Sequence, residues 1–235
     1  QSAENAILSE DSTDILSGKT LQEIIYIDSW VNKYLIEEVF ANIDGSAYSQ
    51  FFYRSDQQTG GLICAGPVWD YDKSMGLWPC CVPEAMYANR SSVWSENDGI
   101  LFHTLYKKES FESLLKDTYE KKFIPLLTQL VDKKIDDYAQ RINCSVMMNE
   151  VRWGYAGFQE EVEEIKTFLS QRMEFLERLW LQGDDYCLVE MELPGDGYTG
   201  MCFACYAVKR GDILPDYIQN LKNKCTWYDA DSNEI

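Results

Sequence analysis

The chain has 235 residues, of which 46% are hydrophobic and 26% charged, as in an ordinary globular protein that can bury a sizeable core. Its formal net charge of −18 argues against nucleic acid and anionic membrane surfaces as partners, because the phosphates of both attract lysine and arginine. A phosphate-bearing substrate would need a metal ion or a locally placed basic residue, and no apolar run is long enough to predict a membrane span.

The first predicted element is a helix over 20–43, where apolar residues recur at helical spacing. A bend or restart is expected at 28–29, since either side chain can cap a helix that begins at Trp30. We expect the helix to end at Gly45, which can adopt the left-handed conformation that closes a helix. Asp44 then lies at a helix exit, immediately before the first strand.

Two β-prone runs follow at 51–54 and 62–65, and the polar connection between them ends in two glycines. This pattern predicts a hairpin that brings the segment after Asp44 alongside the segment leading to Asp70. We therefore expect the two carboxylates to face one cleft.

The second run leads into the sequence GPVWDYDKSMG at 66–76, the most informative stretch of the chain. Asp70 and Asp72 lie two residues apart after a buried strand, and carboxylate oxygens are the ligands that Mg²⁺ selects. A strand followed by an acid is also how several phosphoryl-transfer sites hold metal. The alternative interpretation is structural: Asp70 caps the next segment, Asp72 is solvated and Trp69 is a core residue.

An irregular loop is predicted at 77–99, followed by helices over 100–138 and about 155–181. We expect an interruption just before Ser110, which can cap the next helix, and a break or kink at Pro125. The last helix carries an acidic stripe that we expect to face solvent: Glu160, Glu161, Glu163 and Glu164.

After this helix the pattern changes to strand-like runs at 187–193, 201–208 and 224–228, joined by turns rich in Gly, Pro and Asp. The sequence thus predicts an α+β chain, with a mainly helical part and a small hairpin over 1–183 and a small β-rich module over 184–235. A module of this size has little core and is expected to lean on a neighbour or on cross-links.

Eight cysteines are an even number and many for a reducing cytosol, so the composition permits disulfides in an exported protein. Cys202 and Cys205 have half of a zinc or redox spacing, but no second such pair occurs and His103 is the only histidine. Packing or a disulfide is therefore the default interpretation. The chain's start lacks the features of a signal peptide, so either none exists or it lies upstream of Gln1.

The helix exit at 42–45, the aromatic strand at 51–53 and the sequence GPVWDYD at 66–72 resemble the spore-coat protein H (CotH) kinase family. The resemblance covers about residues 15–182 and implies the mainly helical C-terminal lobe of a kinase-like fold. Further landmarks of that family follow in order: FHTLY from 102, EVRW from 150 and LSQRMEFL from 169.

The resemblance implies an atypical, secreted or surface-associated bacterial protein kinase that transfers the γ-phosphoryl group of ATP to Ser or Thr hydroxyls, with Mg²⁺ or Mn²⁺ as cofactor. Asp44 would match the family's catalytic aspartate, which accepts or orients the hydroxyl proton. Asp70 would match the metal-binding aspartate that corresponds to the kinase DFG aspartate, and Asp72 would assist at the metal. Asn42 is assigned to cofactor binding, and with Glu38 it matches helix positions that precede the catalytic acid.

Kinase-like folds place the lysine that grips the phosphates in an N-terminal lobe ahead of this region. Here only a short, mostly polar stretch precedes the first helix, so the chain resembles the C-terminal lobe alone. Little or no kinase activity is expected from it in isolation.

The tail resembles the internalin-type B-repeat, a small β-grasp module of bacterial surface proteins, through motifs at 198–200, 208–215 and 227–235. In that family a glycine usually precedes the tryptophan, whereas here Thr226 precedes Trp227. The resemblance implies export, an extracellular or cell-surface location and contacts with the cell surface or wall.

Functions from different classes therefore compete. The first is the kinase portion described above, and the second is a catalytically silent extracellular scaffold that binds through its β-rich module. Glycoside hydrolysis by paired carboxylates is the weaker third possibility, because nothing in the sequence identifies an acid of raised pKa or a sugar platform. Thermal stabilisation by ATP with Mg²⁺ or Mn²⁺ would separate the first two.

Overall fold

The structure, a computed structural model, describes residues 1–45, 49–54, 60–77, 82–88, 100–193 and 202–213. This part of the chain is mainly helical with two small antiparallel hairpins, which confirms the predicted α+β class. Most of the predicted loop at 77–99, the predicted strand at 224–228 and the B-repeat motifs other than 208–213 lie outside it. The elements are α1 Ser2–Leu8, α2 Ile27–Val39, β1 Phe52–Arg54, β2 Ile63–Ala65, α3 Ile100–Tyr106, α4 Glu109–Thr118, α5 Ile124–Gln129, α6 Ile135–Trp153, α7 Phe158–Trp180, β3 Tyr186–Leu193 and β4 Cys202–Lys209.

Helix α2 lies at the centre of the core. Its residues Trp30, Val31, Tyr34 and Leu35 are almost completely buried. The Tyr34 ring has three aromatic neighbours at 5.6 to 5.9 Å between ring centroids, and they come from α3 and α4: Phe102, Tyr106 and Phe111. Because such rings bury large apolar areas in fixed geometry, they hold α2 firmly against both helices.

The start of α2 differs from the prediction. The helix begins at Ile27, and the Ser29 hydroxyl donates to the Tyr26 carbonyl at 2.7 Å instead of capping a later start. The same hydroxyl accepts a hydrogen bond from the Ala65 amide at 3.1 Å. The predicted cap at 28–29 is therefore wrong, because Ser29 is used to join the helix to β2.

The end of α2 also differs. The helix stops at Val39, and Ala41 adopts the left-handed conformation with φ of 51°. The Asn42 amide then donates to the Glu37 carbonyl at 3.0 Å, as in a Schellman motif. Gly45 is not the residue that closes the helix, because the chain has already turned before reaching it.

The first hairpin is formed as predicted, with Phe52 opposite Ala65 and Arg54 opposite Ile63. The Ile63 carbonyl accepts hydrogen bonds from the Tyr26 amide at 2.9 Å and from the Trp30 indole at 3.0 Å. These bonds fix β2 against the first turn of α2.

The helices after residue 100 differ from the prediction at three points, the first being that α6 continues to Trp153 instead of ending near residue 138. Helix α4 begins at Glu109 after Lys108, so Ser110 lies inside the helix and the predicted Ser110 cap is wrong. Pro125 lies in the first turn of α5, directly after a π-helical turn over Tyr119–Phe123. The widened turn accommodates the missing N–H of proline, so the chain remains helical there.

Helix α7 matches the predicted helix at about 155–181, and its acidic stripe at 160–164 is solvent-exposed as expected. Of the helices that the structure describes, none has the length and apolar character needed to cross a membrane. Hairpin β3–β4 rests on the end of α7, where the Arg178 guanidinium lies 5.8 Å from the Tyr186 ring centroid. Leu188 and Ala207 of this hairpin pack against the main core, which supplies the neighbour that so small a unit needs.

Within the described part of the chain, three cysteines are free thiols: Cys64, Cys144 and Cys187.

A buried ion pair joins α2 to α7. The Arg172 guanidinium pairs with the Glu38 carboxylate, and both side chains are fully buried. Arg172 also donates to the carbonyls of Glu38, Pro83 and Ala85, while the Glu38 carboxylate accepts from the amides of residues 87–88 at 2.6 and 2.8 Å. The pair therefore also holds segment 82–88 against the two helices.

Removing one partner of this pair should strongly destabilise the fold. In Arg172→Met, the Glu38 charge remains buried without its guanidinium, and the free energy of unfolding is expected to fall by about 3–5 kcal/mol. Urea denaturation measures this change. Lys121→Met is the control, since Lys121 forms an exposed ion pair with Asp117 and its loss should cost at most about 1 kcal/mol. Equal losses in the two variants would contradict a structural role for the buried pair.

Candidate active site

The segment after β2 runs along α2 toward the C-terminus of that helix. The Tyr71 hydroxyl donates to Glu37 Oε1 at 2.8 Å, and the Met75 amide donates to the Phe40 carbonyl at 2.8 Å. Ser74 is fully buried, and its hydroxyl donates to the Tyr71 carbonyl at 2.6 Å. These contacts place the turn at 70–75 beside the loop that follows α2.

Three carboxylates meet where this turn and this loop adjoin. Lys73 Nζ lies 3.4 Å from Asp44 Oδ2, which links the two segments directly. The pKa of Asp70 is raised by the negative charge of Asp72 and by a hydrogen bond with it, and the charge of Asp44 raises it further. The Asp44 and Asp70 carboxylates are thus within electrostatic range of one another.

The acidic side chains are accessible to a ligand. Asp70 and Asp72 are exposed, and the Asp44 side chain is 15% exposed at the edge of the core. Asp70 has φ of 63°, a left-handed conformation that aspartate tolerates better than most residues. Trp69 is 59% exposed and meets Phe51 edge to face at 5.8 Å, so the interpretation of Trp69 as a core residue is wrong.

Two residues support the Asp44 turn from inside the protein. Asn42 is fully buried, and its Oδ1 accepts a hydrogen bond from the Asp44 amide at 3.3 Å. Gly45 packs so closely on Glu37 that a Cβ atom there would overlap with the Glu37 carboxylate. Glycine is needed at 45 for this close approach rather than for an unusual backbone angle.

The carboxylates of Asp70 and Asp72 suit a divalent cation that also binds the phosphates of a ligand. Among the residues that the structure describes, no group of three or more His, Cys, Asp or Glu side chains has the arrangement of a metal site. Asp70 and Asp72 nevertheless offer hard oxygen ligands whose mutual repulsion a cation would relieve. In phosphoryl-transfer sites Mg²⁺ is commonly held by one or two carboxylates, with phosphates and water completing its shell. The two aspartates fit that arrangement.

Sequence reasoning missed several charged residues around the site. Lys73 was not singled out, although it directly follows Asp72. Lys33 and Glu37 form a buried ion pair within α2, and their only signal in the sequence is two opposite charges four residues apart. Arg172 was quoted only as part of a family landmark.

Neutralising Asp70 should stabilise the protein at neutral pH. Neighbouring charges raise the pKa of Asp70 above its ordinary value of 3.8, so the repulsion is fully present above the folded-state pKa and absent below the unfolded-state pKa. The gain in unfolding free energy from Asp70→Asn should therefore shrink as the pH falls from about 7 to about 4, which urea denaturation at each pH measures. Asp132→Asn, at an exposed site on the long helical segment, should give no such pH-dependent gain. A gain independent of pH would rule out this electrostatic origin.

Comparison with known protein families matches residues 9–176 to the CotH kinase protein family. No significant match was found among curated proteins or solved structures. The family match spans more than half of the chain, includes both acidic turns and Arg172, and ends before hairpin β3–β4. The chain therefore belongs to the CotH kinase family.

Proposed function

We propose that this chain is the catalytic-lobe portion of an atypical protein kinase, which transfers the γ-phosphoryl group of ATP to Ser or Thr hydroxyls of a protein substrate. Family membership supports a kinase-like domain. The observation that carries the proposal is the contact between Lys73 Nζ and Asp44 Oδ2 at 3.4 Å, which places the Asp44 turn beside the turn of Asp70 and Asp72.

In this proposal each acid has one role. Asp44 lies on a turn fastened to α2 and accepts or orients the proton of the substrate hydroxyl. Asp70 and Asp72 hold the Mg²⁺ or Mn²⁺ ion of the nucleotide, which when bound neutralises charge on the phosphates. Lys73 offsets part of the negative charge beside Asp44. The burial of Asn42 and its bond to the Asp44 amide favour support of the catalytic turn over direct cofactor contact.

The strongly acidic chain makes a metal essential to this function. With a formal net charge of −18, the protein repels the polyphosphate of ATP, and the carboxylates at the site add to this repulsion locally. A divalent cation held by Asp70 and Asp72 would convert that repulsion into attraction.

An exposed apolar patch beside Asp70 supports the proposal that a further lobe completes the site. Phe51, Val68 and Trp69 are 44%, 50% and 59% exposed where the hairpin leads into the acidic turn. Apolar surface at this position suits coverage by the nucleotide base or by another part of a longer protein. We therefore expect weak or no phosphoryl transfer by this polypeptide alone.

We also propose a secreted or surface-associated location and a B-repeat module in the tail, on the basis of the sequence motifs quoted above. A silent surface scaffold is the second candidate function. The observation that favours it is that Asp44, Asp70 and Asp72 do not by themselves enclose a metal.

Binding of Mn²⁺-ATP separates the two functions. The kinase function predicts that saturating Mn²⁺-ATP raises Tm, because a ligand of the native state stabilises it. Asp70→Ala should abolish this shift, whereas Asp44→Asn should keep it, since Asp44 contacts the hydroxyl rather than the metal. Asp132→Ala, which removes an exposed carboxylate far along the chain, is the control and should behave as wild type.

Two results would change the conclusion. An absent shift, or one that Asp70→Ala leaves intact, would favour the scaffold. Transfer of label from γ-labelled ATP by the isolated chain, lost in Asp44→Asn, would support the kinase function and overturn the need for a further lobe.

A further inference from the structure

We infer that Glu37 is a positioning residue of the active site, and that its one buried carboxylate sets the separation between the turn that carries Asp44 and the turn that carries Asp70 and Asp72. This inference rests on the proposed function, because it assigns the means by which that site is held together.

The first oxygen of Glu37 holds the metal-binding turn. Glu37 Oε1 accepts a hydrogen bond from the Tyr71 hydroxyl at 2.8 Å. Tyr71 lies between Asp70 and Asp72 in the chain, so the tether acts on the peptide units that carry both acids. The Tyr71 ring is also 5.9 Å from Lys33 Nζ, within range of a cation–π interaction.

The second oxygen of Glu37 faces the Asp44 turn. A Cβ atom on Gly45 would overlap with Oε2, so the backbone directly after Asp44 rests on this carboxylate. Asn42, whose Oδ1 accepts from the Asp44 amide, has its amide nitrogen near the same place. Glu37 Oε2 and Asn42 Nδ2 are both buried beside Gly45, and the Asn42 side chain is among the groups that counter the effect of burial on the pKa of Glu37.

The charge of Lys33 favours the ionised form of Glu37, which accepts the hydrogen bond from Tyr71. Burial raises the pKa of Glu37, and the charge of Lys33, one helical turn away, is the main effect that opposes it. An ionised carboxylate forms stronger hydrogen bonds than a neutral one. Replacing a buried ion pair by apolar residues is often neutral for stability, so stability alone gives little reason for charges at these two positions.

The sharpest test removes only the Tyr71 hydroxyl. Tyr71→Phe should weaken Mn²⁺ binding to the full chain about tenfold, because the partners that orient metal ligands typically contribute that much to affinity. Electron paramagnetic resonance of free Mn²⁺, well below Tm, measures this affinity and is insensitive to a merely structural loss of stability. Tyr119→Phe is the matched control, since its buried hydroxyl donates to the Met173 carbonyl of α7 at 3.4 Å and takes no part in the contacts of Glu37. It should leave the affinity unchanged.

A second variant tests the role of Glu37 without leaving an unpaired buried charge. Glu37→Gln alone leaves Lys33 charged and buried, and would lose stability for that reason. Lys33→Met with Glu37→Met removes both charges at similar volume, and should fold while losing Mn²⁺ affinity as Tyr71→Phe does.

A metal-free readout separates this inference from the proposed function. The interaction between Asp44→Asn and Asp70→Asn, measured as a double-mutant cycle of unfolding free energies, reports how closely the two turns are held. We expect this coupling in the wild-type background and a clear reduction in the Tyr71→Phe background. A coupling that is absent in the wild type, or unchanged by Tyr71→Phe, overturns the inference. If the wild-type chain binds no Mn²⁺, the proposed function fails, and the cycle still decides whether Glu37 positions the two turns.

Discussion

The ion pair between Glu38 and Arg172 is the interaction on which the rest of the structure depends. It joins the central helix α2 to α7, and through the carbonyls of Pro83 and Ala85 it secures a segment with no helix or strand of its own. Because neither charge reaches solvent, the pair is tolerated only with its hydrogen bonds satisfied, and the many partners of the guanidinium supply them. The C-terminal end of α2 is thereby fixed in place, together with the loop that follows it.

Two neighbouring glutamates of α2, Glu37 and Glu38, have different structural roles. Successive residues of a helix point about 100° apart, so Glu37 and Glu38 face different surroundings. Glu38 holds the scaffold together, whereas Glu37 faces the turns that carry the acids. The repulsion among those acids is a local cost of the site, and the aromatic core around α2 offsets it. Strain at a functional site supported by a rigid surrounding is a general property of folded proteins.

Much of this arrangement could be predicted from the sequence. Apolar spacing gave α7 and its exposed acidic stripe, and the two β-prone runs with their glycine-rich connection gave the hairpin. The predicted hairpin was enough to place the segments that carry Asp44 and Asp70 next to each other. The family resemblance, rather than spacing, supplied the roles of these acids.

The errors have physical causes in common. Ser29, Gly45 and Ser110 were all interpreted from local capping preferences, and in the first two tertiary contacts with Ala65 and Glu37 decide how the residue is used. The buried charges of α2 could not be predicted, because hydrophobic periodicity indicates which face of a helix is apolar but not how an inward-facing charge is paired.

The contacts of Glu37 and Glu38 also restrict movement of α2, since rotating or sliding this helix would break both sets of contacts at once. The loops around α2 are therefore expected to change position more easily than the helix itself.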